Sequence, residues 1–421
     1  MDVSLPYGHS SLRAQIPENV HAMIVASKPW PVDSGSQQAI VKAALEKAIG
    51  TPKLRHLARN KRRVMIVTAD KTRGVPSRIT FPLILKELQA AGIRKSSVKL
   101  LVATGLHKGE SISDLEERFG DEPLEGLEVI VHDSDDQGQL KPLGNLRTGT
   151  PLWLNSDVVD SDLVLVESRI EPHFFAGFTG GSKMILPGVA GTDTILRNHS
   201  YRNIDDPRSR YGVLDNPIRA EANEALSHIG KAFALNLVLD SEKRIVFANS
   251  GDPLSSFTSA ANELSRHSDV EIFERPDLVL TSNGGYPLDR NLYQCVKGIA
   301  VPEQVVHKGS RIIMVGECSD GIAHGAFAEL LHSGTVNEIY QRIRTAKATV
   351  CDQWEVQILC RILTQTPVWF VTRNELKNQV QAAHMQYAST IEEALDSAKL
   401  TRDERILAVP EGPSTTLKLA H

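Results

Sequence analysis

Polar residues directly after apolar, strand-like runs are the first candidates for chemistry, because ligands of open α/β sheets collect outside the carboxyl ends of the strands. Four runs in this chain end that way. Val64–Thr68 leads to Asp70-Lys71-Thr72-Arg73, Val98–Ala103 to Thr104-Gly105-Leu106-His107, and Leu163–Glu167 to Ser168-Arg169-Ile170-Glu171-Pro172-His173. Leu278–Thr281 leads to Ser282-Asn283-Gly284-Gly285-Tyr286-Pro287. These ends deliver a carboxylate, a guanidinium, two imidazoles and a glycine-rich turn. Singly, each has a structural explanation: Arg73 can pair with Asp70, and a histidine at a strand end can be satisfied by its surroundings. Their convergence on one kind of position argues for a site.

The densest segment runs from Glu171 through Gly177-Phe178-Thr179-Gly180-Gly181-Ser182-Lys183 to Pro187-Gly188. It resembles a phosphate loop but fails as one: a Walker loop places the lysine directly after the last glycine and then opens a helix, whereas here Ser182 intervenes and Pro187 breaks a helix early. What remains is a lysine at the end of a loop flanked by apolar residues, where desolvation lowers an amine's pKa and favours covalent chemistry; an exposed lysine on a plain glycine turn is the competing reading. His199 completes a trio with His107 and His173. No two of them have an HxH or HxxxH spacing, so a zinc hydrolase finds no support in the spacing.

The elements that must position these residues alternate strand and helix, the mark of βαβ units around mostly parallel sheets. Val64–Thr68, Val98–Ala103, Leu127–Val131 and Leu163–Glu167 are expected as buried strands. Between the first two, Ile79, Leu83, Ile84, Leu88 and Ala91 repeat at helical spacing over 77–91, with Gly92 as the stop. Phe233–Leu239 and Arg244–Ala248 are expected as an antiparallel hairpin, joined through Asp240, Ser241 and Glu242. The pattern restarts after Glu274-Arg275-Pro276-Asp277 with strands at Leu278–Thr281, Arg311–Val315 and Val368–Val371. The expected fold is therefore α/β, with two domains built on mostly parallel, Rossmann-like sheets: residues 1–272 and residues 276–421. The last run, Ile406–Val409, and the tail after about residue 400 either finish the second domain or return to the first.

At 421 residues, 41% hydrophobic and 23% charged, the chain falls in the globular class and suits two domains. It lacks the roughly 18 consecutive apolar residues of a membrane span, and its start lacks a basic region followed by an apolar one, so a cytoplasmic protein with no membrane partner is expected. A net charge of −4 provides no basic field for nucleic acid, and the run Arg59, Lys61, Arg62, Arg63 reads as a solvated loop. Cys295, Cys318, Cys351 and Cys360 have no metal or disulfide spacing and are expected as reduced thiols.

Taken in order, Asp70-x-x-Arg73, Ala103-Thr104-Gly105-x-His107, Glu171-Pro172-His173, Gly180-Gly181-Ser182-Lys183, His199, Tyr293-Gln294-x-x-Lys297 and Asp352-Gln353-Trp354 resemble the lactate racemase family over most of the chain. The resemblance implies an isomerase that inverts C2 of a 2-hydroxy acid through a 2-keto acid, by proton-coupled hydride transfer. The cofactor it implies is the nickel pincer nucleotide, a pyridinium-3-thioamide-5-thiocarboxylic acid mononucleotide whose two sulfurs and ring carbon hold Ni. Lys183 matches the lysine that carries it covalently and His199 the protein's ligand to nickel. His107 and His173 match the two bases, one for each hydroxyl orientation. Arg73, Gln294 and Lys297 match the residues that hold the substrate carboxylate, with Tyr293 adding a hydroxyl, Trp354 walling the pocket or serving as core, and Asp70 orienting Arg73 or the substrate. Because these residues come from both sides of the boundary, the site is expected in the interdomain cleft. The implied partners are a small 2-hydroxy acid and the enzymes that build the cofactor. An epimerase of a larger acid, aromatic, dicarboxylic or sugar-derived, would carry the same motifs. A histidine-based metal hydrolase and a protein that only carries the cofactor are the readings from other classes.

Overall fold

The computed structural model describes residues 1–31, 35–107, 109–322 and 325–420. Two six-stranded sheets organise it. The first has the strand order Ile245–Gly251, Lys231–Leu239, Leu163–Arg169, Val64–Ala69, Val98–Ala103, Glu128–Val131. All its pairings are parallel except that of the first two strands, the expected hairpin. Val64, Met65, Ile66 and Val67 are each at most 1% exposed, as befits a central strand covered on both faces. The helix Ser77–Ala90 forms the crossover to Val98–Ala103, and Gly92, at φ +83°, turns the chain out of it.

The second sheet is wholly parallel, in the order Gln386–Ala388, Val368–Val371, Arg311–Val315, Leu278–Ser282, Arg405–Val409, His21–Ile24. Its last strand changes the expected domain map. His21–Ile24, placed by sequence with residues 1–272, pairs with Arg405–Ala408, and Val3, Leu5, Ala14 and Ile16 of the preceding hairpin pack with Leu278 and Ile313 of the second core. The edge beside Arg405–Val409 would otherwise be open, and the N-terminal strand covers it. The run at 406–409 thus finishes the second domain's sheet, whereas Thr416–Leu419 pairs with Asp269–Ile272 at the close of the first.

Each sheet reverses its strand order once. In the first, the reversal falls between Val64–Ala69 and Leu163–Arg169; in the second, between Leu278–Ser282 and Arg405–Val409. A crevice opens at the carboxyl ends of such a pair because the two following connections leave to opposite sides. Asp70–Arg73 and Glu171–His173 both emerge at the first of these points. The neighbourhood is stiffened by Glu167, a fully buried carboxylate that accepts from Thr68 Oγ1 at 2.7 Å, Ser77 Oγ at 3.1 Å and Thr80.

The two halves share apolar packing. Phe174, Phe175, Ile204, Tyr211 and Ile218 lie in one cluster with Leu292, Val296, Trp354 and Ile358. Polar contacts follow the same seam: Tyr211 Oη donates to the Lys297 carbonyl at 3.0 Å, Gln357 Nε2 to that of Tyr201 at 3.0 Å, and Arg361 Nη1 to that of Ile204 at 2.7 Å. Cys295, Cys318, Cys351 and Cys360 are free, and among the described residues no helix is long and apolar enough to cross a membrane.

Candidate active site

Asp70 ends the first strand of the site and caps the short turn Lys71–Arg73, accepting from Thr72 N at 3.0 Å and Thr72 Oγ1 at 2.6 Å through one oxygen. Its other oxygen lies 2.6 Å from His107 Nδ1. Burial alone would raise the Asp70 carboxyl, but hydrogen bonds and charge from His107, with Thr72 and Arg73, bring it below its usual value. Asp70, expected to orient Arg73 or the substrate, makes its side-chain bond to His107, while Arg73 acts on it through charge alone. An imidazole whose Nδ1–H is held by a carboxylate keeps its lone pair on Nε2, the arrangement of a general base. His107 remains half-exposed, with 51% of its side chain accessible.

Arg73 turns instead toward Glu171, at 3.6 Å, and Arg169 holds the other Glu171 oxygen at 2.9 Å. Desolvation pushes the Glu171 carboxyl up, and Arg169, Arg73 and Lys297 outweigh it, leaving it below the ordinary value.

His173 lies in a two-residue strand, Pro172–His173, paired with Gly177–Phe178. Gly177 has φ +73°, and a Cβ there would fall 2.0 Å from the Val213 carbonyl oxygen, so only glycine closes this turn. The ring is 5% exposed, stacked on Phe174 at 5.0 Å and edge-on to Phe175 at 4.5 Å. Its Nδ1 accepts from the backbone N–H of Phe175 at 3.4 Å and of Ala176 at 3.3 Å, and its Nε2 is 3.2 Å from Lys183 Nζ. Burial first, then the charges of Lys183, Arg73, Lys297 and His199, hold it well below the ordinary imidazole value.

Lys183 sits half-buried on the turn Gly181–Met184. A Cβ on Gly181, φ +59°, would meet the Phe257 ring at 2.5 Å. Arg219, 2% exposed, donates to the carbonyls of Phe178 and Gly180 and to Ser182 Oγ while lying 4.0 Å over Phe257. The loop that looks flexible in sequence is thus clamped. Burial, with Arg73, Arg219 and Lys297, pushes the Lys183 amine well below its ordinary value.

His199 closes the helix Thr192–Asn198 and is 4% exposed. Its Nδ1 lies 3.1 Å from the Ile195 carbonyl, so this nitrogen carries the proton and Nε2 keeps a lone pair. Burial and the Lys183 charge lower it to about 3, against the opposing Ile195 bond. Its ring meets Phe175 at 5.1 Å and Trp354 at 4.9 Å, both edge-on. Trp354 therefore stands against the site, on the helix Gln353–Leu363 of the second domain.

The helix Leu292–Ala300 brings the remaining residues. Asn291 caps it by accepting from Gln294 N at 3.0 Å, and one turn on, Lys297 Nζ donates to Gln294 Oε1 at 2.5 Å. Desolvation, then Arg73, depress the Lys297 ammonium against Glu355 and Glu171. Tyr293 packs its ring 5.4 Å from Phe327; burial, Glu355 and Asp352 raise its hydroxyl well above the ordinary value. Sequence reasoning gave no role to Arg169, Glu171, Arg219 or Glu355. Glu355 is 2% exposed, has Oε2 without a hydrogen-bond partner among the described residues, and is raised by desolvation against the pull of Lys297. The signal for it was an acid between Trp354 and Val356 on an otherwise apolar helix.

No group of three or more His, Cys, Asp or Glu among the described residues is placed to hold a metal, and the Phe175 ring packs against both His173 and His199. Compared with known families, residues 7–212 match the lactate racemase N-terminal domain and residues 273–417 the lactate racemase C-terminal domain. The chain belongs to the lactate racemase family. It is 38% identical to the lactate racemase of Thermoanaerobacterium thermosaccharolyticum and 33% identical to that of Lactiplantibacillus plantarum, covering 99% of both chains in each pair. The structure of the Thermoanaerobacterium lactate racemase apoprotein superposes with a TM-score of 0.94 over 99% of this chain and 100% of that one. A Thermotoga maritima protein, 18% identical, shares the fold at a TM-score of 0.65, over 91% of this chain and 97% of its own. As a member of the lactate racemase family the protein is an isomerase, and the sequence motifs from Asp70 to Trp354 lie inside the matched domains.

Proposed function

We propose that the protein racemises lactate, or an acid of similar size, in the cytoplasm, using a nickel pincer nucleotide carried on Lys183. The observation that carries this reading is His199: its Nδ1 is committed to the Ile195 carbonyl, its Nε2 has no hydrogen-bond partner among the described residues, and it feels the charge of the Lys183 amine. One imidazole is too little for a protein-only metal site, and it suits a nickel ion whose other ligands are sulfur and carbon from the cofactor. Lys183 would carry the group and His199 would supply its protein ligand. Held there, the group would supply a hydride acceptor and donor for C2 of the substrate. The enzymes that build it are the implied partners.

The chain's own residues then have separable tasks. Arg73 and Lys297 attract the carboxylate, the guanidinium gripping two oxygens and the ammonium adding charge, while Gln294 fixes the Lys297 amine and Tyr293 adds a hydroxyl. His107, oriented by Asp70, takes the hydroxyl proton of one enantiomer, and His173 serves the hydroxyl on the opposite side. Phe174, Phe175 and Trp354 crowd the space beside His173 and His199, which favours a substrate with a small C3 group over an aromatic or sugar acid. Packing across the cleft keeps water from the reacting carbon.

The test is chiral chromatography of D- and L-lactate incubated with protein made beside the cofactor-building enzymes, together with nickel analysis and peptide mapping. Interconversion, stoichiometric nickel and an adduct on Lys183 are expected. Activity on a larger 2-hydroxy acid with none on lactate would remove the substrate assignment, and zinc without an adduct would remove the cofactor.

A further inference from the structure

His173 and Lys183 face each other directly, and the hydrogen-bond roles of the pair can be assigned. His173 Nδ1 receives two backbone N–H groups, from Phe175 and Ala176. A nitrogen that accepts cannot carry a proton there, so the neutral ring carries its proton on Nε2. That Nε2–H points at Lys183 Nζ, 3.2 Å away. An ammonium has no lone pair with which to accept it; a neutral amine has one. The surroundings act in the same sense. The cations that act on the pair are Arg73, Lys297 and Arg219, and Arg219 itself is buried against carbonyls and the Phe257 ring.

We propose that in the cofactor-free chain His173 and Lys183 form a donor–acceptor pair, Nε2–H to amine, that keeps Lys183 an uncharged nucleophile ready to take an acyl or thioacyl group. The proposal rests on the reading of Lys183 as the cofactor's tether and gives His173 a task before racemisation begins. The co-reactant is an activated acyl or thioacyl donor. The Nζ lone pair attacks its carbon, the N–C bond forms, the bond to the leaving group breaks with its electron pair going to that group, and one Nζ proton departs with it. Nothing is oxidised or reduced. The clamp of Arg219 on Phe178, Gly180 and Ser182 fixes the turn that carries Lys183, a residue that is only half-buried. Once acylated, the nitrogen's lone pair is delocalised and no longer accepts, so the product releases His173 from this bond.

The experiment uses the full chain made without the cofactor-building enzymes, acetylated briefly with N-hydroxysuccinimidyl acetate at pH 6.5, 7.5 and 8.5 and mapped by peptide mass. An ordinary lysine in water gains about a hundredfold in rate from the lowest pH to the highest; Lys308 and Lys347 are exposed and give the comparison. Lys183 should react at least about tenfold faster than they do at pH 6.5 and change by roughly threefold or less across the series. His173→Phe should slow Lys183 by about 3- to 10-fold at pH 6.5, the worth of one hydrogen bond, and His173→Gln, which restores an N–H donor, should recover part of the rate. Ring ¹⁵N spectra of the unaltered chain give a second readout that needs no variant: His173 should be protonated on Nε2 and bare on Nδ1. The reverse tautomer, a Lys183 no faster than Lys308 and Lys347 at pH 6.5, or a folded His173→Phe chain labelled at the parent rate, would overturn the pair. Adduct mapping of the cofactor-loaded protein separates this from the tether itself: a reactive Lys183 that carries no cofactor sinks the tether alone, and a cofactor on an unreactive Lys183 sinks the pair alone.

Discussion

Replacing Asp70 with Asn isolates what a carboxylate does for a base. In the structure Asp70 Oδ2 fixes the proton of His107 on Nδ1 across 2.6 Å, and Oδ1 caps the following turn through Thr72. Asparagine keeps the cap, since its side-chain oxygen accepts equally well there, so the fold should lose less than about 1 kcal/mol. The amide then turns its NH₂ toward His107 Nδ1, which must accept, and the ring proton moves to Nε2. The lone pair that should take the hydroxyl proton is gone. A positioned general base is worth about 10²–10⁴ in rate, or about 2.7–5.4 kcal/mol of barrier; the half-exposed ring, which can recruit water, argues for the lower half of that range. Because two enantiomers are isoenergetic in water, kcat/KM must fall by the same factor from either side at steady state. Single-turnover mixing with each pure enantiomer resolves the asymmetry: the one served by His107 should slow, the other should form its 2-keto acid near the parent rate. Racemisation within about threefold of the parent in a folded Asp70→Asn protein would refute the assignment of Asp70 as the orienting group.

Four other outcomes are expected. His107→Ala and His173→Ala should each stop racemisation and show opposite enantiomer preferences in single-turnover 2-keto acid formation, with the disfavoured hand slowed by about 10²–10⁴-fold; the same preference in both would remove the two-base scheme. Arg73→Lys should raise KM by about tenfold or more despite the retained charge, because a bidentate grip becomes a point charge, and an unchanged KM would take Arg73 out of the carboxylate site. Burial and Arg73 depress the Lys297 ammonium to about 8, so the charge that holds the substrate is present below that pH and lost above it. Calorimetric affinity for a 2-keto acid should therefore weaken as pH rises from 7 to 9, and a flat profile would contradict it. Gly181→Ala, at φ +59° with its new methyl 2.5 Å from Phe257, should lower stability by about 1–3 kcal/mol in denaturant titration and reduce adduct formation at Lys183.

The core strands were legible because a strand buried on both faces writes itself as an unbroken apolar run. Val64–Ala69, Val98–Ala103 and Leu278–Ser282 fall where Val, Ile and Leu cluster. His21–Ile24 was not legible: it lies at the sheet edge, three of its four residues are exposed, and nothing in its composition says which sheet it will join. The site divides along similar lines. That Arg73, His107 and His173 follow strand ends on one side of the sheet could be read by position, since the parallel sheet aims all its carboxyl ends the same way. Partnerships could not. Asp70 lies three residues from Arg73 and thirty-seven from His107, yet it pairs with the distant ring, because the turn at Lys71–Arg73 carries the guanidinium round to Glu171. Arg219 acts on a loop some forty residues away, which only the packing of the helix Pro217–Leu226 against that loop makes possible.

Those partnerships make the two histidines unequal, although the reaction treats the two hands of its substrate alike. His107 is half-exposed with a carboxylate behind it; His173 is nearly fully buried, with two peptide N–H groups behind it and a lysine in front. A carboxylate stabilises the imidazolium that forms when His107 takes a proton, whereas peptide donors and surrounding cations oppose the same change in His173. A symmetric equilibrium does not need symmetric bases, because the rate in either direction passes through both. What it needs is that His173 shed this opposition and bare its Nε2 before turnover, which requires Nδ1 to be released from the Phe175 and Ala176 N–H groups to take the ring proton. On the proposed assignment, a substrate carboxylate beside Arg73 and Lys297 would offset two of the charges that disfavour its protonation, and acylation of Lys183 would take away the lone pair that receives its Nε2 proton. On this reading base and binding site would be coupled: His173 would become competent only where cofactor and anion are both in place, and in the empty chain it would stay a donor to the lysine beside it.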